Sequence, residues 1–373
     1  MSSAVQTPDS LGPDLGRKSF ERYLHLVFGA AAEIVELAPI GEQATGEDLK
    51  QYGYGSPIKV TYRLDGHVRH AVFETVRAGP YGHETLADRA QLLLSAHETF
   101  GRLPLHARSL DVGALEYDGN LLSLGDVDEF FVLVEHVDGA GHNEDFFRMR
   151  DDPELTDLDV ARSDALCDYL AEIHRVRRDG PDLYARRIRE LLGHGECIMG
   201  INDGYPTSHA FIDYKLLENI EHSVLSWRWR LKDYTHRLRQ VHGDFHPWNI
   251  LFQEGAKFRV LDRSRGEWGE AADDVSCLTI NYLFFSLQRS GRLEGNFEVL
   301  FKRFWSRYLE HTGDQQMLSV VAPFFAFRGL VIASPVWYPN LSETIRRRIF
   351  SFIRNVLDDD VFDPDRVNEY CET

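Results

Sequence analysis

One segment, Val241 to Asp274, limits what this chain can fold into more than any other part of the sequence. It reads VHGDFHPWNILFQEGAKFRVLDRSRGEWGEAADD. Asp244 is followed five positions later by Asn249, and a second aspartate, Asp262, comes after two short apolar runs. Any fold of this chain must place these three oxygen-bearing side chains on closely connected loops.

The two apolar runs predict a short β-hairpin. Ile250 to Phe252 and Phe258 to Leu261 have the length and composition of strands, and Glu254-Gly255 is a turn sequence between them. A hairpin of this length returns the chain to its starting point. We therefore expect Asp262 to come back beside Asn249.

The three polar side chains suit phosphoryl transfer. That reaction needs a carboxylate to orient and deprotonate the acceptor hydroxyl, and hard oxygen ligands to hold magnesium against nucleotide phosphates. Asp244 suits the first task, and Asn249 with Asp262 suits the second. The alternative is that these residues are solvated turn formers brought together by chance. The ordered occurrence of His242, Asp244, Asn249, Asp262 and Asp274 around one hairpin favours the chemical interpretation.

HGDFHPWN followed by VLD resembles the aminoglycoside phosphotransferase and choline kinase family. These are relatives of protein kinases, whose own loop reads H-R-D-x-x-x-x-N before D-F-G. The resemblance implies an α+β, protein-kinase-like fold with a small antiparallel-sheet N-lobe and a mostly helical C-lobe. It also implies ATP and Mg²⁺ as cofactors, and a small molecule with a hydroxyl group as acceptor. Asp274 resembles the family aspartate that caps the next helix and braces the catalytic loop.

The resemblance also divides the chain. Residues 1–17 are polar and rich in Gly and Pro, which predicts a disordered tail. Residues 18–137 form the predicted N-lobe that covers the nucleotide, and residues 138–373 form the C-lobe with the catalytic loop and acceptor site. Helices are predicted from Phe20 to Leu37 and from Glu84 to Phe100.

Four positions around the N-lobe are candidates for nucleotide contacts. Gly53 and Gly55 precede a predicted hairpin, where backbone amides could approach phosphates, although glycine is also common in ordinary turns. The apolar run Phe130 to Glu135 predicts a strand, and this strand with the Gly-rich break after it resembles the hinge between the two lobes of family members. There, backbone groups from Glu135 to Val137 would hydrogen-bond adenine. An ordinary central strand and turn would have the same residues.

The sequence departs from the family at the phosphate-binding cation. Family members carry a lysine or arginine in the strand that matches His70 to Val76, paired with a glutamate on the next helix, but this chain has Glu74 there. The pair could be reversed, with Arg89 serving both Glu74 and phosphate; Lys59 and Arg77 are further candidates. The site could instead be degraded, which leaves a second hypothesis: a catalytically impaired relative that binds a small molecule or a partner.

The C-lobe helices contain two polar residues inside apolar patterns. His174 ends a helix predicted from about Ser163, and we expect it to be a packed, hydrogen-bonded core residue. Arg328 lies in the apolar run FFAFRG and must find an anion, a carbonyl oxygen or a carboxylate, because an unpaired buried charge is costly. Its partner is either an acidic substrate or, as we prefer, a neighbouring aspartate. A stripe from Phe297 to Leu309 predicts a core-facing helix.

The composition of the chain argues against some classes of binding partner and cellular location. Forty-one basic against 59 acidic residues give a net charge of −18, which argues against nucleic acid or an anionic membrane as partner. The four cysteines lack metal-ligand spacing and are expected to be buried thiols. The N-terminus lacks the features of a signal peptide, and Val320 to Trp337 is interrupted by Arg328 and two prolines. We therefore expect a cytoplasmic enzyme acting on a small-molecule hydroxyl acceptor, with its oligomeric state open.

Overall fold

The computed structural model describes residues 16–40, 57–79, 82–206, 209–263 and 265–372. The chain divides into two compact units, Met1–Val134 and Glu135–Thr373. In its described residues, the first unit contains small antiparallel sheets and two helices, and the second unit is mostly helical. The predicted α+β class is confirmed.

The first unit is built on a three-stranded antiparallel sheet. Its elements in chain order are α1 (Arg17–Phe28), β1 (Glu33–Pro39), β2 (Ile58–Leu64), β3 (His67–Phe73), α2 (Leu86–Phe100), β4 (Gly113–Leu115) and β5 (Leu121–Ser123). The sheet order is β1-β2-β3, and β4 pairs separately with β5. The apolar side of α1, with Phe20 and Leu24, packs on Ile34, Val60 and Tyr62 of the sheet.

The turn between β2 and β3 follows from its sequence. Asp65 and Gly66 both have positive φ angles, 51° and 77°, and this conformation matches the twist of the two flanking strands. The predicted hairpin is confirmed, although β3 ends at Phe73 and leaves Glu74 exposed just beyond it.

Two predictions at the start of the chain were wrong in their bounds. The helix predicted from Phe20 to Leu37 ends at Phe28, because Gly29 adopts a φ of 90° and the following residues form β1. The apolar residues of β1 happen to continue the helical spacing of α1, so the sequence pattern did not show where the helix ends. Arg17, assigned to the disordered tail, begins α1, and residues 1–15 lie outside the described residues.

The strand predicted from Phe130 to Glu135 was also wrong. These residues have no regular secondary structure, and Phe131 and Leu133 are each 91% exposed. None of the sheets in the described part of the chain takes this run as a member. A strand needs a neighbour for its backbone N–H and C=O groups, so β propensity alone did not form one here.

The second unit contains most of the helices. Its elements are β6 (Ala140–Gly141), α3 (His142–Asp151), α4 (Asp157–Arg175), α5 (Pro181–Gly193), α6 (Ile198–Asp203), α7 (Tyr214–Leu231), β7 (Leu238–Gln240), β8 (Ile250–Phe252), β9 (Phe258–Val260), β10 (Trp268–Glu270), α8 (Ala271–Ser290), α9 (Gly295–Thr312), α10 (Ala322–Ala333), α11 (Glu343–Asp358) and α12 (Val367–Tyr370). The small sheets found in the described residues of this unit have the orders β6-β8-β9 and β10-β7.

Helix α8 lies at the centre of this unit. Sixteen of its twenty residues are buried, so it packs on all sides against α3, α9 and α10. The predicted stripe on α9 is confirmed, with Phe297, Phe304 and Trp305 buried against the same core. All four cysteines are buried free thiols, as expected. Among the described residues, no helix is long and apolar enough to cross a membrane.

Candidate active site

The loop with Asp244 connects two short sheets. Strand β7, which pairs with β10, precedes the loop. A 3₁₀ turn at Pro247–Asn249 ends the loop and is followed by β8. The amide of Asn249 ties the loop to itself, since Nδ2 donates a 3.1 Å hydrogen bond to the carbonyl oxygen of Asp244. Asp244 and Asn249 therefore sit at opposite ends of one compact, internally bonded turn.

The predicted hairpin is present and has the expected effect. Ile250 pairs with Val260 in the β8–β9 register, and the N–H of Leu261 donates a 2.8 Å hydrogen bond to the carbonyl oxygen of Asn249. Asp262, the next residue, is thereby returned beside Asn249. Its φ is +55°, an uncommon conformation that aspartate tolerates better than most residues and that is often found at functional sites.

Asp274 braces the loop from the first turn of α8. Its two carboxylate oxygens accept hydrogen bonds of 2.7 Å each from the backbone N–H groups of His242 and Gly243. The side chain is completely buried. The predicted brace is confirmed, but the predicted helix cap is wrong. The N-cap position of α8 is Glu270, and the Asp274 carboxylate is already used by the loop.

A buried histidine and tyrosine hold Asp274 in turn. His174 Nε2 donates to Asp274 Oδ2 at 3.1 Å, because a carboxylate can only accept. On its other side, His174 Nδ1 lies 2.7 Å from the hydroxyl of Tyr308 on α9. Burial raises the pKa of Asp274. The hydrogen bonds from His174 and from the His242 N–H lower this pKa by more than burial raises it, so the pKa lies below its usual range. His174 is a core residue, as predicted, and it supports the loop.

Gly243 is required by the shape of the loop. Its φ is +90°, a conformation that side-chain-bearing residues rarely adopt. A Cβ atom at this position would lie 3.2 Å from the Cβ of Arg265. The glycine between His242 and Asp244 thus lets the chain reverse so that the N–H groups face Asp274 while the Asp244 side chain faces away.

Arg328 on α10 is the main partner of Asp244. Its Nη1 donates to Asp244 Oδ1 at 2.5 Å, and its Nη2 donates to the carbonyl oxygen of Gly243 at 2.9 Å. Nε and Nη2 both donate to Asp273 Oδ1, at 3.1 and 2.5 Å. The guanidinium is buried. The preferred sequence interpretation, a tie to a neighbouring aspartate, is confirmed, and one of its two aspartates is Asp244 itself.

The surroundings of Asp244 keep it ionised. Burial raises the pKa of Asp244, but the interaction with His246, at 3.5 Å, and the charges of Arg328 and Arg265 hold it well below its usual range. Burial also lowers the pKa of His242, whose Nδ1 accepts a 3.3 Å hydrogen bond from the N–H of Asp244. The carboxylate is therefore an anion at neutral pH, fixed by charge and by the loop.

A cavity of about 270 Å³ opens beside the hairpin. His242, Leu261 and Asp262 form part of its wall, and Tyr169 and Ile173 of α4 form another part. Its position next to Asp262 gives a small ligand access to one of the two predicted magnesium-binding residues.

The predicted phosphate contacts, Gly53, Gly55 and Arg89, belong to the first unit. Gly53 and Gly55 lie outside the described residues. The Nη1 of Arg89 donates to the carbonyl oxygens of His83, Glu84 and Thr85 at the start of α2. Among the described contacts it makes no ion pair with Glu74, so the reversed pair predicted from the sequence is not found. The guanidinium instead stabilises the first turn of its own helix.

The predicted hinge residues begin the second unit. Glu135 is exposed, and its carboxylate forms a 2.9 Å ion pair with Arg259 of β9. Val137 is half-buried. In the described part of the chain, the backbone groups of residues 135–137 have no backbone hydrogen-bond partners, as a segment that binds a ligand through its backbone would require.

Sequence reasoning missed several residues of the site. Asp273 and Arg265 contribute charge around Arg328 and Asp244, and Tyr308 was counted only as core. His246 lies inside the HGDFHPWN motif, so its nearness to Asp244 could have been suspected. Asp273 precedes the bracing aspartate directly. Nothing in the sequence points from Tyr308 to the loop.

Comparison with known proteins gives the family. The model of the phosphotransferase enzyme family matches residues 59–307, more than half of the 373-residue chain and all of the segment Val241 to Asp274. A search of curated protein sequences finds no match.

Solved structures similar to this chain include three kinases. Amicoumacin kinase in complex with AMP-PNP, Ca²⁺ and Ami is 13% identical, with 94% of this chain and 98% of that chain covered and a TM-score of 0.41. Choline kinase from Cryptosporidium parvum Iowa II is 14% identical, with 95% and 92% covered and a TM-score of 0.32. ADP-bound aminoglycoside phosphotransferase APH(2'')-Ib is 14% identical, with 92% and 99% covered and a TM-score of 0.31.

The match covers the Asp244 loop, the hairpin and the bracing aspartate. Arg328 lies beyond the matched residues. The chain belongs to the phosphotransferase enzyme family.

Proposed function

We propose that this protein is an ATP-dependent phosphotransferase that moves the γ-phosphate to a hydroxyl group of a small molecule. The acceptor classes are an aminoglycoside, an amino alcohol or another secondary metabolite. Asp244 is the catalytic residue. The observation that carries the proposal is the placement of an ionised, rigidly held Asp244 on the same turn as Asn249, with Asp262 returned beside it by the hairpin.

The charge state of Asp244 suits one form of this chemistry. A carboxylate that stays anionic can accept a hydrogen bond from the acceptor hydroxyl and aim its oxygen at phosphorus. Its paired charge makes it a weak base, so the proton moves late, when the bond to phosphorus is already forming. In phosphoryl transfer, positioning and electrostatics supply most of the rate.

Asn249 and Asp262 are proposed to bind magnesium. Both offer oxygen, the donor that Mg²⁺ prefers, and protein sites for this ion commonly use one or two side chains and leave the remaining positions to phosphate and water. The Nδ2 of Asn249 is already bonded within the loop, which leaves its amide oxygen for a ligand. Magnesium, when bound, would neutralise charge on the nucleotide phosphates.

The nucleotide contacts are proposed at positions in both units. Gly53, Gly55 and Arg89 are assigned to the phosphates, and the backbone from Glu135 to Val137 is assigned to adenine. Among the described residues, no backbone group pairs with the backbone groups of residues 135–137, and this supports the adenine assignment. An ATP-dependent reaction also fits the cytoplasmic location expected from the sequence.

An acceptor panel tests the proposal. Purified protein with ATP and magnesium is incubated with aminoglycosides, amino alcohols and hydroxylated secondary metabolites, and acceptor-dependent release of ADP is measured. We expect at least one class to stimulate ADP release above the rate with water alone. Binding of ATP without stimulation by any acceptor class would contradict the proposal.

Asp244→Asn tests the role of the catalytic residue, and Asp273→Asn is its matched control. Both substitutions remove one carboxylate partner from Arg328, but only Asp244 is proposed to contact the acceptor hydroxyl. We expect Asp244→Asn to lower kcat by about 10² to 10⁴, the typical contribution of a general base, and Asp273→Asn to lower it far less. Equal losses in the two variants would make Asp244 a structural partner of Arg328.

Glu74 favours a second function, a catalytically impaired relative that binds a small molecule or a partner. This carboxylate is exposed where the family has a cation, and two unit charges about 4 Å apart at a near-surface dielectric interact by roughly 4 kcal/mol. Thermal stability with millimolar ATP and magnesium distinguishes the two functions. A shift with wild-type protein supports the enzyme, whereas a shift only with Glu74→Lys supports the impaired relative.

A further inference from the structure

A second and larger cavity lies in the helical unit, away from Asp244. Its volume is about 650 Å³, within the range of small-molecule sites. The end of α4, the strand β7 and the end of α9 form its walls, and three of its side chains are the arginines Arg175, Arg177 and Arg239. This concentration of positive charge stands out in a chain with a net charge of −18.

Two of the three acidic residues that line the cavity, Asp168 and Asp314, are paired with arginines that do not line it. Asp168 forms a 2.7 Å ion pair with Arg307, and its Oδ1 lies 3.0 Å from Nδ1 of His311. Asp314 forms a 2.7 Å ion pair with the buried Arg237. Glu172 is the remaining carboxylate on the wall. The cavity therefore carries more positive than negative charge that is free to meet a ligand.

The three arginines lack ion-pair partners in the described part of the chain. The side chains of Arg175 and Arg177 are exposed, and among the described residues neither contacts a carboxylate. Arg239 is half-buried, and its Nη1 donates only to the carbonyl oxygens of His236 and Leu238. A backbone bridge holds Arg177 against Arg239. Burial and the charge of Arg177 lower the pKa of Arg239, which reflects two cations kept close together.

The back wall of the cavity contains His174 and Tyr308. These are the residues that hold Asp274, which in turn accepts hydrogen bonds from the N–H groups of His242 and Gly243. A molecule in the cavity would thus contact the support of the catalytic loop without entering the catalytic site.

We infer that this cavity binds a small phosphate-bearing anion between Arg175, Arg177 and Arg239. Guanidinium groups present paired N–H donors that match phosphate oxygens, and charge-assisted bonds of this kind are roughly twice as strong as neutral ones. An anion would also remove the repulsion between Arg177 and Arg239. The site goes beyond the proposed phosphoryl transfer and does not depend on it.

Isothermal titration with inorganic phosphate and with glycerol 3-phosphate, in the absence of nucleotide and magnesium, tests the site. The variant is Arg175→Gln/Arg177→Gln, in which both side chains are exposed, so folding is expected to be unchanged. The matched control is Arg178→Gln, because this neighbouring arginine is stacked on Trp268 and is outside the cavity wall. We expect the double variant to bind at least about tenfold more weakly than wild type and control.

The two probes distinguish the source of the phosphate. Tighter binding of the ester indicates a phosphorylated metabolite, and equal binding indicates free phosphate; both agree with the inference. Wild-type protein that binds neither probe at millimolar concentration overturns it. Equal weakening by Arg178→Gln and by the double variant also overturns it, because the effect would then be general surface charge. The single variants Arg175→Gln and Arg177→Gln provide the same comparison if the double variant does not fold.

Discussion

Arg328→Met removes the buried guanidinium that holds Asp244, and it gives a measurable loss of stability. Arg328 makes four hydrogen bonds, one to Asp244, one to the carbonyl of Gly243 and two to Asp273. Removing one partner of a buried pair typically costs about 3–5 kcal/mol, because the other charge stays buried without compensation. That cost is a large part of the roughly 5–15 kcal/mol by which folded proteins are stable.

Denaturant unfolding at pH 7 measures this loss, and Arg347→Met on α11 is the control. Arg347 forms an exposed 2.6 Å pair with Glu343, and exposed pairs contribute at most about 1 kcal/mol. We expect the midpoint of Arg328→Met to fall clearly below that of the control. In an Asp244→Asn background, the cost of Arg328→Met should be smaller, because part of the buried charge is already gone.

The loss should depend on pH in a defined direction. The folded-state pKa of Asp244 is depressed, so its contribution is complete above the unfolded carboxylate pKa of about 3.9 and is lost as the pH falls through the lower folded value. The difference between wild type and Arg328→Met should therefore be largest near neutral pH and shrink below about pH 4. A difference under about 1 kcal/mol at pH 7, or one that does not change with pH, would refute the reasoning.

Three further predictions concern the proposed magnesium ligands, the Tyr308 hydroxyl and Gly243. Asn249→Ala and Asp262→Ala should each weaken nucleotide binding in the presence of magnesium but not in its absence, because the loss acts through the metal; titration under both conditions checks this, and equal losses would indicate a structural role. Tyr308→Phe removes the hydroxyl at His174 and should cost about 1 kcal/mol of stability, seen as a lower thermal midpoint. Gly243→Ala forces a φ of +90° on a residue with a Cβ and should cost about 1–2 kcal/mol together with much of the activity; an active variant of unchanged stability would show that the loop tolerates the strain.

The sequence determined those features whose partners are close along the chain. The β8–β9 hairpin follows from two apolar runs and a turn, and the turn fixes which residues face each other. Asn249 and Asp262 are therefore brought together by local geometry. Helices α2 and α9 were also predictable, because periodic apolar residues act over consecutive turns.

Where a local pattern needed a distant partner, the sequence predictions failed. The run from Phe130 has the composition of a strand, but in the described sheets no neighbour pairs with it, and composition does not show whether a neighbour exists. The helix predicted from Phe20 continued past Gly29 because strand β1 also contains apolar residues at compatible spacings.

Only the tertiary structure decided how Asp244 is held and charged. Arg328 is 84 positions from Asp244, and Tyr308 is 134 positions from His174. Their contacts depend on how α4, α9 and α10 pack around α8, which no local pattern encodes. The sequence required that a buried arginine find an anion, a carbonyl oxygen or a carboxylate. The packing of the helices brings Arg328 to Asp244. The charge of Arg328 is one of the interactions that hold the pKa of Asp244, the proposed catalytic residue, below its usual range.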